Sequence, residues 1–318
     1  MQPHSEECPS PVAAIEVGSN TLRLLIGCVR EDRIVRLRQE RSVTRLGKNM
    51  QRAGTLNSAG VEASIRTLVF FKEILKSCGV HSVTAVGTSA LREAADTAAF
   101  IERVRKETGI GIEVISGERE AELTRQGLCR DALWCASQRQ DVIVDLGGGS
   151  TEMIVCGDGT SQGSIPIGAV KLSNLFLRSD PPTAEELHKA IQYVYKEVNR
   201  YLLKNNIRPA LLGSGELIVT GGTATTVASI DLGLESYDGD RVHRHRVTYL
   251  ALKTLHAKLS GMTVEEREGI RGMGRDRADI IVPGILILLI LMEIMKKNRV
   301  TISDYGLLEG LLSEGRRS

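Results

Sequence analysis

The chain is expected to fold as α/β, in two related domains that face one another across a cleft. Three observations predict this. A short pattern occurs twice, at Ala14–Ile26 (A-I-E-V-G-S-N-T-L-R-L-L-I) and at Val142–Val155 (V-I-V-D-L-G-G-G-S-T-E-M-I-V). Each copy is an apolar run that reaches an acidic residue, turns through glycine and small polar residues, and becomes apolar again, which reads as a hairpin. Around the copies, short apolar runs alternate with segments of helical periodicity, the pattern of a mixed or parallel sheet covered by helices. The length, 318 residues, suits one large or two medium domains.

Each element follows in order. Arg33–Arg45 alternates polar and apolar residues and reads as a further strand. Val61, Ile65, Leu68, Val69, Ile74 and Leu75 fall at helical spacing and place a helix over Ser58–Cys78, capped by Asn57 or Ser58. Val83–Val86 is a short strand, from which G-T-S-A-L-R-E-A turns into another helix. Thr97–Thr108 is helical, Ile112–Ile115 is a strand, and Ser116 opens a helix running to about Asp131. Beyond the second hairpin, Thr183–Asn205 is a long amphipathic helix with Thr183 and Glu186 at capping-box spacing. Leu217–Thr226 (L-I-V-T-G-G-T-A-T-T) is a third strand–glycine turn, and the remainder reads as mainly helical. Ile280–Met295 is strongly apolar but shorter than a bilayer span of about 20 residues. With Pro283 near its start and Glu293 near its end, it reads as a buried helix beginning at Pro283. The first domain is assigned to residues 1–130 with a returning helix at 303–318, the second to 131–302.

Bulk properties bound the function. Hydrophobic residues at 42% and charged residues at 25% describe a soluble globular chain, and a net charge of +2 is too mild to imply nucleic acid. Any polyanion site must be a local patch. Met1–Pro11 lacks the basic start and apolar core of a signal peptide, so a cytoplasmic location and no membrane association are expected. The six cysteines, Cys8, Cys28, Cys78, Cys129, Cys135 and Cys156, form no C-x-x-C pair and read as free thiols.

The repeated turn carries the chemistry. Glycine lets backbone N–H groups approach an anion without a Cβ in the way. A phosphate cradle is therefore placed at Gly18, Ser19, Asn20 and Thr21, and again at Gly147, Gly148, Gly149, Ser150 and Thr151. The lone carboxylate beside each turn, Glu16 or Asp145, suits a hydrated divalent cation, Mg²⁺. Arg23 and Arg92, each a few residues past a small-residue turn, offer guanidinium clamps for phosphate. Glu120 either orients a water or caps the first turn of its helix, and Glu152 is a second acidic candidate just past the second turn. Arg241–Arg246, including His243 and Arg246, can bind the trailing part of a phosphate chain, ligate a metal through H-x-H, or be a plain basic loop. Arg275 and Arg277 are similar candidates. Gly213-Ser-Gly215 lacks the third glycine of a dinucleotide fingerprint, and neither a G-x-x-x-x-G-K-[ST] loop nor zinc-ligand spacing occurs.

Taken in order, A-I-E-V-G-S-N-T-L-R-L-L-I, R-L-G, V-G-T-S-A-L-R-E-A, I-S-G-E-R-E-A, V-D-L-G-G-G-S-T-E, S-I-P-I-G-A-V-K-L, T-G-G-T-A-T-T and R-A-D-I-I-V-P-G resemble the exopolyphosphatase / guanosine pentaphosphate phosphatase family. The resemblance runs from Ala14 to about Leu312 and is to the short form of that family. It implies two ribonuclease-H-like domains of the actin, sugar-kinase and heat-shock-chaperone superfamily. It also implies Mg²⁺-dependent removal of the terminal phosphate of inorganic polyphosphate, with guanosine pentaphosphate as a further substrate, and a homodimer. In I-S-G-E-R-E-A the family's catalytic base is the glutamate before the small residue, which points to Glu120 rather than Glu118. Gly221, Gly222 and Thr223 match the position where superfamily kinases bind adenosine; here they hold a guanosine or are a retained turn. One departure stands out, because Glu16 occupies the place of the family's usual aspartate. An ATP-dependent phosphotransferase and a non-catalytic polyphosphate- or nucleotide-binding regulator are the rival expectations.

Overall fold

The computed structural model describes residues 8, 10–30, 33–131, 141–157, 160–208, 212, 214–274 and 276–314. Cys135, Gly213 and Arg275 therefore lie outside the described residues. The chain divides into two compact units, Met1–Ala136 with Tyr305–Ser318, and Ser137–Asp304.

In the first unit, β1 (Val12–Val17) and β2 (Thr21–Arg30) make the first hairpin, and β3 (Arg33–Val43) extends the antiparallel ladder. The helices α1 (Met50–Ala53) and α2 (Ser58–Ser77) follow, with Asn57 capping α2 by accepting from the Gly60 N–H at 2.8 Å. Next come β4 (Ser82–Gly87), α3 (Ser89–Glu93), α4 (Thr97–Thr108), β5 (Ile112–Val114) and α5 (Gly117–Leu128). The strand order is β3-β2-β1-β4-β5, with β1, β4 and β5 parallel.

The second unit runs through β6 (Val142–Leu146), β7 (Thr151–Val155), β8 (Ser161–Ile165), α6 (Ala169–Phe176), α7 (Ala184–Lys204), β9 (Leu217–Thr220) and α8 (Gly222–Asp231). It continues with α9 (Gly239–Val242), β10 (Arg246–Thr248), α10 (Tyr249–Ser260), α11 (Val264–Glu268), α12 (Ile281–Ile294) and β11 (Arg299–Ile302). Its order is β8-β7-β6-β9-β11-β10. The first five strands repeat the first unit's sheet in order and in parallel or antiparallel sense, and β10 is added at one edge. The part of the chain beyond β9 is mainly helical, as expected, with the short strands β10 and β11 added to the sheet. At three and four residues they are too short for a period-2 pattern to stand out between long helices.

The last helix, α13 (Leu307–Glu314), packs in the first unit. There, alternation along the strands makes two cores. Ile15, Val17, Leu22 and Leu24 face Leu68, Phe71 and Phe100, whereas Ala14 and Leu25 face Leu123, Leu307 and Leu311. Glu16 and Arg23 alternate with the first set and so share the face covered by α5 and α13. In the second unit α12 is buried from Ile281 through Met292, with Pro283 in its first turn. It is a core helix, and no helix among the described residues is long and apolar enough to cross a membrane. The free-thiol expectation is corrected at one pair: Cys8 and Cys28 are joined as a disulfide, their Cα atoms 5.9 Å apart, because the N-terminal segment brings Cys8 against the end of β2.

Candidate active site

The same turn closes both hairpins. The Gly18 N–H donates to the Thr21 carbonyl at 3.1 Å, and the Gly147 N–H donates to the Ser150 carbonyl at 3.0 Å. A Cβ on Gly18 would lie 2.9 Å from the Thr21 carbonyl oxygen, and one on Gly147 would lie 2.8 Å from that of Ser150, so both positions need glycine for space. This corrects part of the cradle: the Gly18 and Gly147 amides are spent on closing the turn. Among the described residues, the amides of Ser19, Asn20, Gly148 and Gly149 make no backbone hydrogen bond within the chain.

Each turn is buttressed by a loop. The first rests on Arg45-Leu46-Gly47: the Thr44 and Arg45 amides donate to the Asn20 carbonyl at 3.0 Å, and the Gly47 amide donates to Ser19 at 2.7 Å. The second rests on Ile167–Lys171. Ala169 donates to Gly147 and Val170 to Gly148, while the Thr151 hydroxyl donates to the Ile167 carbonyl at 2.7 Å. Gly168 fits there because a Cβ would lie 2.5 Å from the Gly148 carbonyl. At the first turn the Asn20 Nδ2 and the Thr21 Oγ1 are buried and have no hydrogen-bond partner in the protein. Buried donors without a partner in the protein call for an acceptor from outside the chain, an ordered water or a ligand.

Register sets the charges beside each turn. In the second unit, Thr220, Asp145, Glu152 and Ser164 lie opposite one another in a row across β9, β6, β7 and β8. Asp145 is 7% exposed and Glu152 fully buried, and the Ser164 hydroxyl donates to Glu152 Oε1 at 2.7 Å. In the first unit the corresponding row is Val86, Glu16, Arg23 and Arg41. Here Arg23 Nε donates to Glu16 Oε2 at 2.7 Å, and Arg23 Nη2 pairs with the same oxygen. Glu16 is therefore committed to a guanidinium, whereas Asp145 faces a second carboxylate.

Glu120 sits in the first turn of α5, which Ser116 caps by accepting from the Arg119 N–H. The side chain is 6% exposed. Arg92 Nη1 donates to Glu120 Oε2 at 2.6 Å and to the Ile115 carbonyl at 3.0 Å. The fold thus joins two residues that lie 28 apart in sequence, because α3 and α5 both leave the same ends of adjacent parallel strands, β4 and β5.

The third turn is a strand-to-helix turn at the end of β9. Gly221 has φ +95°, and a Cβ there would lie 2.9 Å from Asp145 Oδ1. Gly222 makes room for the buried Arg277 guanidinium, which a Cβ would meet at 2.1 Å. Thr223 packs against Gly284 of α12, which links the T-G-G-T and R-A-D-I-I-V-P-G motifs in space. His243 accepts from the Asp304 N–H through Nδ1. Arg246 points to the opposite end of β9, where it pairs with Glu216 at 3.0 Å, and His245 pairs with Asp231 at 2.7 Å. The structure does not bring Arg246 to the glycine turns. Residue patterns alone missed Ser164, Gly47 and Gly168; all three fall inside the quoted motifs, but their roles depend on cross-strand register and close backbone approach.

Residues 26–316 match the Ppx/GppA phosphatase family. Exopolyphosphatase 2 of Mycobacterium tuberculosis is 30% identical over 320 aligned residues, covering 94% of this chain and 97% of that protein. Among solved structures, a Ppx/GppA family member from Aquifex aeolicus superposes with a TM-score of 0.77 at 31% identity, over 97% of this chain and 98% of its own. An exopolyphosphatase from Cytophaga hutchinsonii superposes with a TM-score of 0.85 at 29% identity, over 96% and 97%. These neighbours place both units in the ribonuclease-H-like, actin-type fold. The repeated sheets, the paired glycine turns and these matches agree, and the chain is a member of the Ppx/GppA phosphatase family.

Proposed function

We propose that this protein is an exopolyphosphatase, removing the terminal phosphate of inorganic polyphosphate with Mg²⁺. The observation that carries the reading is the repeated glycine turn, one copy of which holds two buried side-chain donors with no acceptor in the protein. Phosphoryl transfer passes through a loose transition state, so positioning and electrostatics do most of the catalysis. The first unit supplies donors for the phosphate, from Ser19, Asn20 and Thr21. It also supplies Glu120, whose carboxylate Arg92 holds in place to orient the attacking water. Both arginine clamps have carboxylate partners, Glu16 for Arg23 and Glu120 for Arg92.

The second unit offers an oxygen donor set for the metal. Asp145 would hold Mg²⁺, with Glu152 beside it to orient water. The facing carboxylates of Asp145 and Glu152 suit Mg²⁺, which favours one or two carboxylates with substrate phosphates and water. When bound, the ion neutralises charge on the phosphate oxygens. Glu16 serves Arg23 instead of the metal.

Guanosine pentaphosphate is the finer possibility, with its nucleoside at Gly221–Thr223 beside Arg277. The test is orthophosphate release from short polyphosphate, long polyphosphate and guanosine pentaphosphate in Mg²⁺, measured side by side. Release from polyphosphate that Glu120→Gln slows by about 100-fold or more is expected. Binding without release, or a Glu120→Gln variant as fast as wild type, refutes the reading.

A further inference from the structure

The row across the second sheet assigns a role to a residue that the reaction above does not use. Ser164 lies directly opposite Glu152 on adjacent antiparallel strands, and its hydroxyl donates to Glu152 Oε1 at 2.7 Å. Glu152 is fully buried and stands opposite Asp145 on its other side. A buried carboxyl group with three rotatable bonds has several rotamers open to it, and a hydrogen bond from a rigid strand selects one.

The strand geometry makes that bond specific. Ser164 sits between Gly163 and Ile165, whose neighbours turn to the opposite face: Gly163 leaves room for Tyr201, and Ile165 enters the main core. Neither can move without disturbing that core, so Ser164 is fixed from behind. Ile167 and Gly168, three and four residues further on, carry the loop that buttresses the second turn. One stretch, Ser164–Lys171, therefore holds both the turn and the carboxylate beside it. In the first unit the equivalent row position is Arg41, opposite Arg23, so no hydroxyl plays this part there.

We propose that Ser164 is a positioning residue for hydrolysis, acting through Glu152 by fixing the direction of its carboxylate. The proposal rests on the exopolyphosphatase reading and deepens it. It differs from a purely structural hydrogen bond in what it does to turnover. Steady-state orthophosphate release from polyphosphate would be measured for wild type, Ser164→Ala, Ser164→Thr, Glu152→Gln and the double variant Ser164→Ala/Glu152→Gln, with melting temperatures alongside. Expected are a kcat about tenfold or more lower in Ser164→Ala with KM within about twofold, recovery of most of kcat in Ser164→Thr, and no further loss when Ser164→Ala is added to Glu152→Gln. Three outcomes overturn it: a Ser164→Ala kcat equal to wild type, a loss that persists undiminished in the Glu152→Gln background, or a loss that follows melting temperature in both Ser164 variants. Wild-type enzyme that releases no orthophosphate would instead sink the exopolyphosphatase reading itself.

Discussion

The two glycine turns share a backbone and differ in charge. Each closes through one glycine N–H to a carbonyl three residues on, and each rests on a buttressing loop. Beside the first, the strand row reads Val86, Glu16, Arg23, Arg41; beside the second it reads Thr220, Asp145, Glu152, Ser164. The first row brings two guanidinium groups and neutralises its one carboxylate. The second brings two carboxylates and two hydroxyls. The duplicated fold therefore carries different charges beside its two turns, and the proposed function uses that difference, assigning anionic oxygen to the first copy and the cation to the second.

The division has consequences of graded size. The largest is at Asp145, where Asp145→Asn removes one of two facing carboxylates while keeping shape. Orthophosphate release is expected to fall by about 100-fold or more, with a raised Mg²⁺ requirement. At the first turn, Thr21→Val replaces a buried hydroxyl that has no partner in the protein with an isosteric methyl. Its KM is expected to rise about tenfold, while unfolding free energy in urea stays equal or gains up to about 1 kcal/mol. A loss of stability there would show that the hydroxyl serves the fold rather than a ligand.

The second unit carries one strongly acid-sensitive group. His256 in α10 is buried beside Arg267, and burial first, then that guanidinium, lowers its pKa from 6.5 to about 4. The unfolded chain takes this proton near 6.5, the folded chain only near 4. Stability is therefore lost as pH falls through that window, by roughly 3 kcal/mol. Denaturant midpoints measured from pH 7 to pH 4 should show this slope, and His256→Gln should flatten it. The smallest effect is at Glu16. Its partner Arg23 is 31% exposed, so Glu16→Gln should change stability by less than about 1 kcal/mol.

Much of this was legible in the residues. The helix at Ser58–Ser77, the capping box at Thr183 and Glu186, and the buried helix at Ile281–Ile294 follow from period and cap chemistry. The hairpins were marked by glycine between β-branched runs. Register was not legible, because it depends on which strands meet. Hence the partnership of Ser164 with Glu152, and the capture of Glu16 by Arg23, emerged only in the fold. The basic run at Arg241–Arg246 left several readings open for a related reason: Glu216 and Asp231, the partners of Arg246 and His245, are distant in sequence and near in space. The Cys8–Cys28 pair escaped because spacing alone says nothing about two thiols brought together near the end of β2.

The most direct measurement is a Mg²⁺ titration of orthophosphate release from polyphosphate by wild type, Asp145→Asn and Glu16→Gln. If the copies are divided as their rows indicate, Asp145→Asn loses rate and needs more Mg²⁺, while Glu16→Gln keeps the wild-type half-saturation. Equal shifts in both variants would contradict the division and return Glu16 to the metal.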